Sequence, residues 1–462
     1  MTLAGLLASH AIGATPNLSS AWREGGVHPE DRVVDVLGCM FAGTSIDSAR
    51  RAAALIAGNS ADGRSTVASG RAKVKPAAAA QANALLARAY DFGPLTPFDG
   101  ETPLWSHISE TTVPAALAMA EETKAPMHAV LAALTVGDDV AARISRALKF
   151  LPGTGWDSPG LVNRFASAVI AARLWNLDER ELIQAWGLVL QQVSGTFQAI
   201  DEHSDAFTYV QGLAARDGIE AVDLVRSGYS GGAGGLDGRF GLFQTFGSGL
   251  PEMASVVGGL GDEYLGDQIF KPYPGCRFTH GPIDIARGWQ ESQKDFSLGI
   301  REIFLTVHPH HIDSPLDHPV GGGEPLSRTS ALFSFQFQTA NALLRGMPLP
   351  SHFDDASRND PAVRRLAGLI RLLPAPEPSF ELTAAHIHIH MSNGGVLAGD
   401  IDYPWGDPRG VALTRSDIDA KFTANLRHAG IEDDPAAVLP RLRDSLRSNS
   451  PFDLSLFPAL TG

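Results

Sequence analysis

Cysteine is scarce in this chain of 462 residues, which contains only Cys39 and Cys276. The two lie far apart and form no Cys-x-x-Cys pair, so neither a disulfide framework nor a thiolate zinc site is supported. Apolar runs long enough to span a bilayer are also missing. The N-terminal stretch MTLAGLLASHAIGAT has no basic residues before it and is interrupted by His10, which argues against a signal peptide. The cytoplasm is therefore the expected compartment.

Basic residues are outnumbered: 37 Lys and Arg stand against 51 Asp and Glu, which gives a formal net charge of -14 at pH 7. The basic residues are scattered along the chain instead of forming a stripe. Because an acidic surface repels phosphate backbones, nucleic acids are not expected as partners. The 44% hydrophobic content is enough to bury a large core. A soluble globular protein of two or three domains is expected, with no membrane partner.

Most of the chain has the pattern of α-helices. From Glu30 to about Ser227, apolar residues recur at three- and four-residue spacing in alanine- and leucine-rich segments. Residues 227–250 are rich in glycine and are predicted to form a connector, because no Gly-Lys-Ser/Thr ending of a nucleotide loop occurs there. The predicted helices of this block are Arg32 to Ala42, Pro76 to Tyr90, Val113 to Glu121, Met127 to Lys149, Val162 to Trp175 and Glu181 to Val193.

The pattern becomes mixed after residue 268. Residues 300–308 and 381–391 alternate like strands, and the turn that follows the second segment predicts a hairpin. Helical pattern returns at residues 417–427 and 435–446, which suggests that the C-terminus packs against the first helical block. We therefore predict a mainly α fold, with an all-helical domain of residues 1–268 and 405–462 and a smaller α+β domain of residues 269–404 inserted between them.

Two groups of histidines have a spacing that metal ligands also use. His386, His388 and His390 would project from one face of a strand. Since apolar residues fill the other face, the solvent side of a half-buried hairpin is the favoured interpretation. The second group, in VHPHHID at residues 307–313, follows a strand and is interpreted as a polar loop. No metal site is predicted from either group.

The segment RAYDFGPLTPFDGETPLWSH, residues 88–107, places polar groups on a loop between two helices. One helix ends near Asp91, and His107 precedes the next helix. Each residue alone could have only a local structural role. Together, a histidine and an aspartate on such a loop are suitable as a base and the partner that orients it.

The helical segment VGDDVAARISRAL, residues 136–148, carries Asp139 and Arg143 four residues apart. A structural ion pair across one helical turn is one interpretation. The other is that Arg143 binds a substrate carboxylate through both of its terminal nitrogens, which the planar guanidinium does better than lysine. The sequence leaves both open.

The segment KPYPGCRFTH, residues 271–280, is unusually stiff for one that contains several reactive side chains. Pro272 removes helical conformations from Lys271, so the lysine is held in an extended backbone. Thr279 or His280 is predicted to cap the following helix, and a neutral imidazole is expected at that helix N-terminus. Cys276 is interpreted as a packed residue, because a nucleophilic thiol needs a dedicated base.

With these motifs the chain resembles the MmgE/PrpD family along nearly its whole length. The resemblance rests mainly on KPYPGCRFTHGPIDIA at 271–286, supported by VVDVLGCMFAGTS at 33–45, ANALLARAYDF at 82–92, SHISETTVPAALAMAE at 106–121 and FASAVIAARLWNLDERELIQAWGLVLQQVSGT at 165–196. Two shorter segments add to it, FSFQF at 333–337 and GDPRGVALTRSDIDAKF at 406–422.

The resemblance implies a homodimer whose subunits each have a large helical domain and an inserted α+β lid domain, with the active site in the cleft between them. It implies chemistry on small acids without metal or organic cofactor: a proton is removed beside a carboxylate, after which water or carbon dioxide is lost or the configuration changes. Asp91, His107 and Lys271 match active-site positions of the family. Arg143 lies on the helix that carries a substrate-binding arginine.

The sequence departs from the family pattern at two positions. In GWDSPG, Asp157 stands at a histidine position, and in AFTYVQG, Phe207 stands at a lysine position. The expected pocket has thus lost cationic groups and gained a carboxylate, so the substrate is predicted to carry fewer carboxylates than citrate-like acids, since an unpaired buried anion is costly. Arg164 could compensate if its side chain reaches the cleft.

The resulting prediction is a cofactor-independent lyase, a dehydratase or a decarboxylase, that acts on a small carboxylic acid. Lys271 is predicted to donate a proton or stabilise charge, His107 to act as base or acid, and Asp91 to orient it. The predicted substrate contacts are Arg143, His280 and Asp157. The alternatives are an epimerase or isomerase of a small dicarboxylic acid, in which Lys271 and His107 exchange protons on opposite faces, and a non-catalytic binding or scaffold protein.

Overall fold

The computed structural model describes residues 2–18, 28–70, 73–149, 155–292, 299–320, 325–376, 380–431 and 435–454. Within these ranges the chain forms nineteen α-helices and eight β-strands, so the prediction of a mainly α fold is confirmed. No helix in this part of the chain is long and apolar enough to cross a membrane.

Twelve helices lie in the described part of the chain before residue 268. They are α1 (Leu3–Gly13), α2 (Pro29–Thr44), α3 (Asp47–Gly58), α4 (Pro76–Arg88), α5 (Ser109–Thr123), α6 (Met127–Leu148), α7 (Arg164–Leu174), α8 (Glu179–Leu190), α9 (Gln198–Asp201), α10 (Ala206–Arg226), α11 (Leu242–Phe246) and α12 (Met253–Val257). Only the short α11 interrupts the turns of the glycine-rich connector, residues 227–250.

Small residues allow the central helices to approach one another closely. Nearly every residue of α4, PAAAAQANALLAR, is buried, and α4 packs against α2, α5 and α10. A Cβ atom at Gly43 of α2 would lie 2.1 Å from the carbonyl oxygen of Leu86. Only glycine permits this approach, which fixes the C-terminal end of α4 against α2.

The first block is not purely helical, and the prediction was wrong in this detail. It contains two antiparallel ladders, formed by β1 (Asp62–Thr66) with β2 (Lys73–Val74) and by β3 (Phe98–Asp99) with β4 (Thr102–Pro103). Strands of two residues are too short to produce the alternation of apolar and polar residues by which strands are detected in a sequence.

The mixed region contains one four-stranded sheet, ordered β6-β5-β7-β8, with β5 parallel to β6 and the other pairs antiparallel. Its strands are β5 (Ile300–Val307), β6 (Ile370–Pro374), β7 (Ala385–Met391) and β8 (Val396–Ile401). The predicted hairpin is β7-β8. Ile387 and Ile389 are buried whereas His388 is exposed, which confirms that the histidines of β7 occupy the side facing solvent.

Five helices accompany this sheet: α13 (His280–Ser292), α14 (Arg328–Leu332), α15 (Phe335–Arg345), α16 (Asp355–Arg358) and α17 (Pro361–Ala367). The start of α13 differs from the prediction. A 3-10 turn, Arg277–Thr279, begins after Cys276, and the Thr279 hydroxyl donates to the Cys276 carbonyl over 2.8 Å. Thr279 therefore closes the turn instead of capping the helix, and His280 is already helical.

The last two helices, α18 (Arg415–His428) and α19 (Pro435–Arg447), contact α2. Lys421 of α18 lies 2.8 Å from a carboxylate oxygen of buried Asp35, and Arg443 of α19 pairs with Asp31. Both acidic residues belong to α2. The C-terminal helices thus pack against the first helical block, as predicted, whereas the division into domains at residues 268 and 405 stays a prediction.

Candidate active site

A buried arginine organises the polar cluster between α4 and α5. Arg88 is the last residue of α4, and its Nη1 atom donates to Asp91 Oδ1 at 2.5 Å, to His107 Nδ1 at 2.8 Å and to Glu110 Oε2 at 2.9 Å. Burial alone would lower the pKa of Arg88, but the two carboxylates raise it above its usual value, so the guanidinium stays charged. One cation therefore positions three functional groups.

Asp91 follows α4 in a left-handed conformation, with φ of 46°, which is uncommon for a residue other than glycine. Lys271 holds it there, since Lys271 Nζ donates to the Asp91 carbonyl oxygen at 2.8 Å and lies 2.5 Å from Asp91 Oδ1. Burial would raise the pKa of Asp91, but Arg88 and Lys271 outweigh it and keep the pKa below its usual value. Asp91 is thus an anion at neutral pH.

Lys271 reaches Asp91 because the segment before it pairs with the loop after α4. Leu95 and Ile269 exchange two backbone hydrogen bonds, of 2.9 and 3.0 Å. Lys271 lies outside any helix, which agrees with the restriction that Pro272 places on the residue before it. Burial is the largest influence on Lys271 and lowers its pKa, although Asp91 opposes the shift. The ammonium group makes two hydrogen bonds, both to Asp91.

The tautomer of His107 follows from its neighbour. Arg88 can only donate, so His107 Nδ1 accepts, and the neutral ring carries its proton on Nε2. Burial, followed by Arg88 and Lys271, lowers the pKa of His107 well below its usual value. Asn163 and Gln211 fix the backbone by donating to the His107 carbonyl at 2.6 and 3.0 Å. His107 therefore presents an uncharged Nε2–H donor.

The ligating atoms of Asp91, His107 and Glu110 lie within 4.8 Å of one another, and in the described part of the chain no other trio of such residues is close enough to hold a metal ion. All three atoms, however, accept hydrogen bonds from the Arg88 Nη1 atom. A divalent cation would have to displace a buried guanidinium that already neutralises the carboxylates. The set does not fit a metal centre.

Asp157 is a further buried acid, close enough to Arg88 for their charges to interact. Its backbone nitrogen donates to the Gly195 carbonyl at 3.2 Å, and neighbouring Trp156 pairs with Thr196, so the residue 195–197 segment holds it. Burial raises the pKa of Asp157 to about 6, although Arg88 opposes the shift. A carboxyl group that ionises near neutral pH is suited to accept or return a proton.

These groups enclose a small inner cavity of about 60 Å³. Polar side chains meet apolar and aromatic ones on its wall. The lining residues are Arg88, Asp91, Leu95, Trp105, Ser106, His107, Asp157, Ser158, Phe197, Ile200, Cys276, Arg277, Phe278 and Phe333. The cavity thus combines charged groups with apolar and aromatic walls, and such walls lower the local dielectric and strengthen electrostatic interactions.

The inner cavity adjoins a larger outer cleft of about 600 Å³. The two share Phe197, Ile200, Cys276, Phe278 and Phe333 in their walls. One side of the outer cleft is formed by residues 196–201 of the helical block and the other by residues 310–316, which follow β5. The outer cleft therefore lies between the helical block and the sheet region.

The structure does not bring Arg143 into this site. Its Nε atom lies 2.9 Å from both carboxylate oxygens of Asp139, and its terminal nitrogens donate to four backbone carbonyls at Val256, Gly258, Gly259 and Glu263. The side chain is fully buried. The ion-pair interpretation is the one that fits, because every donor of Arg143 is occupied by structural contacts, so we leave it out of the proposed site.

Three further residues lie near the site without lining the inner cavity. His280 is buried, and its Nδ1 atom faces Arg277 Nη1 at 3.2 Å, so it supports a residue on the wall. Arg164 pairs with Asp217 at 2.7 Å and donates to Ser194, which secures the segment that holds Asp157. It does not reach the cavity. Phe207 places its ring 5.5 Å from the Arg88 guanidinium carbon, so an aromatic face covers the buried cation.

Among the charged and thiol residues of the wall and the cluster, the sequence did not predict a site role for Arg88, Glu110, Cys276 or Arg277. Arg88 precedes Asp91 by three residues and Glu110 follows His107 by three, a spacing that would have suggested contact. Arg277 donates to the carbonyls of Pro404 and Trp405, both at 2.8 Å. Burial raises the pKa of Cys276 to about 12, so its thiol stays neutral.

Comparison with known proteins gives consistent matches along the chain. The family model described as "MmgE/PrpD N-terminal domain" matches residues 26–253, and that described as "MmgE/PrpD C-terminal domain" matches residues 273–438. Among curated proteins, the chain is similar to cis-aconitate decarboxylase of Mus musculus, with 27% identity over 311 residues. That alignment covers 64% of this chain and 61% of the relative, so the chain spans about three fifths of the relative's length.

Proposed function

The chain belongs to the MmgE/PrpD family, and on this basis we propose that it is a cofactor-independent lyase that acts on a carboxylic acid by proton transfer beside the carboxylate. One observation carries the proposal: a near-neutral carboxyl group, an uncharged imidazole donor and a buried guanidinium line the same small cavity. The name of the mouse relative, a decarboxylase of a carboxylic acid, supports the reaction class.

In the proposed reaction the substrate carboxylate lies against the positive groups of the wall. Asp157, ionised above about pH 6, takes the proton from the neighbouring carbon. Negative charge then develops on the carboxylate oxygens, where the His107 Nε2–H group and the Arg88 charge stabilise it. Asp157 can return the proton to a leaving hydroxyl group, which completes a dehydration. Decarboxylation would instead use protonated Asp157 to protonate the carbon that carbon dioxide leaves.

Lys271 and Asp91 act in this scheme as an electrostatic pair. Lys271 donates to Asp91 and not into the cavity, so its proposed part is to hold Asp91 and add positive charge behind the wall. Asp91 fixes Arg88, and Arg88 sets the tautomer of His107. His280 supports Arg277 in the same way. These are positioning roles, whereas His107 and Asp157 are proposed to touch the substrate.

The alternatives receive less support. An epimerase needs a second proton-exchanging group on the opposite face of the carbon, and Cys276, with a pKa of about 12, is poorly suited to be one. A non-catalytic scaffold has no need for a buried carboxyl group that titrates near neutral pH beside a cation. The homodimer implied by the family resemblance stays a prediction.

The experiment is to incubate the protein with mono-, di- and tricarboxylic acids in heavy water and to follow products and carbon-bound deuterium by NMR. We expect at least one acid to lose water or carbon dioxide, and we expect His107→Ala and Asp157→Asn to abolish that change. Lys271→Ala should reduce it, because Asp91 would lose its partner. If no acid on a broad panel changes, or if all three variants keep full activity, the proposal fails.

A further inference from the structure

We propose that the substrate is a monocarboxylic acid with an uncharged, mainly apolar tail, whose carboxylate end occupies the inner cavity while the tail extends into the outer cleft. The proposal rests on the proposed function for the statement that the inner cavity is where the acid reacts. It adds the chemical class of the substrate, which the family relationship does not supply.

The inner cavity has room and charge for one carboxylate only. Its volume of about 60 Å³ is a small fraction of the space that a drug-sized ligand occupies. Arg88 and Lys271 bring two positive charges to its surroundings and Asp91 and Glu110 bring two negative ones, while the third cation, Arg277, lies 3.8 Å from the carboxylate of Asp407. A first carboxylate can accept from the His107 Nε2–H group, whereas none of these three cations is left unmatched for a second, which would be an unpaired buried anion.

The passage from the inner cavity to the outer cleft is apolar. Phe197, Phe278 and Phe333 lie in the walls of both spaces, together with Ile200. Ring contacts stabilise two of these side chains: Phe278 packs edge-on against Trp105 at 5.1 Å, and Phe333 packs edge-on against Phe207 at 5.3 Å. A charged group lodged between these rings would lose its water without gaining a partner, so the part of the substrate that passes here is apolar.

Within the described part of the chain, the outer cleft offers no Lys or Arg side chain to a second carboxylate. Among the described residues that line it, the carboxylates are Asp201 and Asp313 and the basic side chains are the histidines His310 and His311. His311 donates from Nε2 to the Leu382 carbonyl at 2.8 Å, and burial lowers its pKa to about 4, so it is neutral. Ile312 and Leu316 contribute apolar surface. A volume of about 600 Å³ accommodates a tail, and the two carboxylates repel an anionic one.

The test compares three probe acids by calorimetric titration: propanoate, octanoate, and octanedioate, which adds a second carboxylate to the far end. We expect octanoate to bind at least tenfold more tightly than propanoate, because its tail buries apolar area. We also expect octanoate to bind at least tenfold more tightly than octanedioate. Equal or tighter binding of octanedioate, or no gain from chain length, would overturn the proposal.

Two variants locate the effect in the outer cleft. Ile312→Trp fills the cleft and should reduce the ratio of octanoate to propanoate affinity about tenfold, whereas Leu373→Trp, on an exposed residue outside the cleft, should leave that ratio unchanged. Asp201→Lys should raise octanedioate affinity relative to octanoate about tenfold, and Asp223→Lys, outside the cleft, should not. If the cleft variants behave like their controls, the tail does not lie in this cleft and the proposal is wrong.

Binding and turnover are read separately, so the two proposals can fail separately. Tight, length-dependent binding of monocarboxylates without any turnover would contradict the proposed lyase function and leave the substrate class standing. Turnover of a short dicarboxylic or tricarboxylic acid with higher kcat/KM than any long monocarboxylic acid would support the lyase function and contradict the proposed substrate class.

Discussion

At the scale of single residues, the Arg88 guanidinium allows two buried carboxylates and a histidine to lie side by side next to the inner cavity. Two N–H bonds of Arg88 Nη1 serve three acceptors, Asp91, His107 and Glu110. Shared hydrogen bonds of this kind are strong in a low dielectric and costly when one partner is lost. The same contact that stabilises the fold also decides which nitrogen of His107 carries the proton.

Replacing this arginine should be severe for stability. We expect Arg88→Ala to lower the free energy of unfolding by about 3–5 kcal/mol, because it leaves Asp91 and Glu110 as buried, partly uncompensated charges. Denaturant unfolding followed by circular dichroism measures the loss. Arg371→Ala removes an exposed arginine that lies 3.7 Å from Glu302 and should cause no measurable change. Similar losses in the two variants would contradict the central role given to Arg88.

Asp157 makes the pH dependence of activity predictable. A base must be ionised, and Asp157 ionises near pH 6, so kcat/KM should rise about tenfold per pH unit below 6 and level off above 7. Asp157→Asn should lower kcat by about 100-fold or more without unfolding the protein, whereas the exposed Asp223→Asn should not. A profile that falls above pH 6 would show instead that the protonated carboxyl group is the reactive form, as decarboxylation requires.

Sequence patterns predicted some of these residues and could not predict others. Asp91, His107 and Lys271 were expected to act together, and the structure brings them together: His107 Nε2 lies 3.9 Å from Asp91 Oδ1. Arg143 and Arg88 look alike in the sequence, since each is a helical arginine near an aspartate. Which of the two faces a cavity depends on how helices pack, and a local pattern does not contain that information.

At the scale of elements, the helix α5 is held at its N-terminus by a distant acid. Asp267 Oδ2 accepts hydrogen bonds from the backbone nitrogens of Ile108 at 3.1 Å and Ser109 at 2.7 Å. It thereby satisfies donors that the first turn of a helix leaves free. His107 precedes this turn directly, so Asp267 helps to fix the start of the element that positions it.

The same residue should make stability depend on pH. Burial, with the nearby Asp138, raises the pKa of Asp267 to about 8 in the folded chain, far above the value near 4 of an unfolded aspartate. Its favourable contribution is complete below about pH 4 and is lost as the pH rises through 8. Thermal unfolding between pH 6 and 9 should therefore show a falling Tm, and Asp267→Asn should flatten the fall.

An amide oxygen can accept the same two hydrogen bonds, so Asp267→Asn keeps the cap while removing the titration. The matched control is Asp400→Asn, on an exposed residue of β8, which should leave the decline in Tm as it is in the unchanged protein. If the Tm of Asp267→Asn falls with pH as steeply as that of the unchanged protein, the titration belongs to another group.

Long, periodic elements were the ones that the sequence predicted well. The first strand of the hairpin, the helices α4 and α6 and the C-terminal helices were expected within a few residues of their bounds. The short ladders β1-β2 and β3-β4 were not, because their formation depends on loop closure and not on a repeating pattern. The start of α13 was misjudged because the Thr279 hydroxyl bonds to Cys276 instead of to the helix.

At the scale of the whole molecule, polar contacts near the outer cleft join the helical block to the sheet region. Asp205, just before α10 in the helical block, pairs with Arg328 of α14 at 2.6 Å and accepts from the Thr329 hydroxyl at 3.0 Å. His203 donates from Nε2 to the Pro315 carbonyl at 2.9 Å. The Asp205 side chain is 49% exposed, so its ion pair contributes about 1 kcal/mol or less to stability. Such contacts can break without unfolding either side.

If residues 269–404 move as a lid, weakening these contacts should change ligand exchange more than stability. We expect Arg328→Ala and His203→Ala to speed dissociation of a bound acid several-fold in stopped-flow displacement, because closure of the cleft limits escape, while Tm changes by no more than a few degrees. Arg371→Ala, whose partner Glu302 lies on the same sheet, should leave the dissociation rate unchanged. Unchanged rates in both cleft variants would mean that the two sides stay fixed and that the acid exchanges through an open cleft.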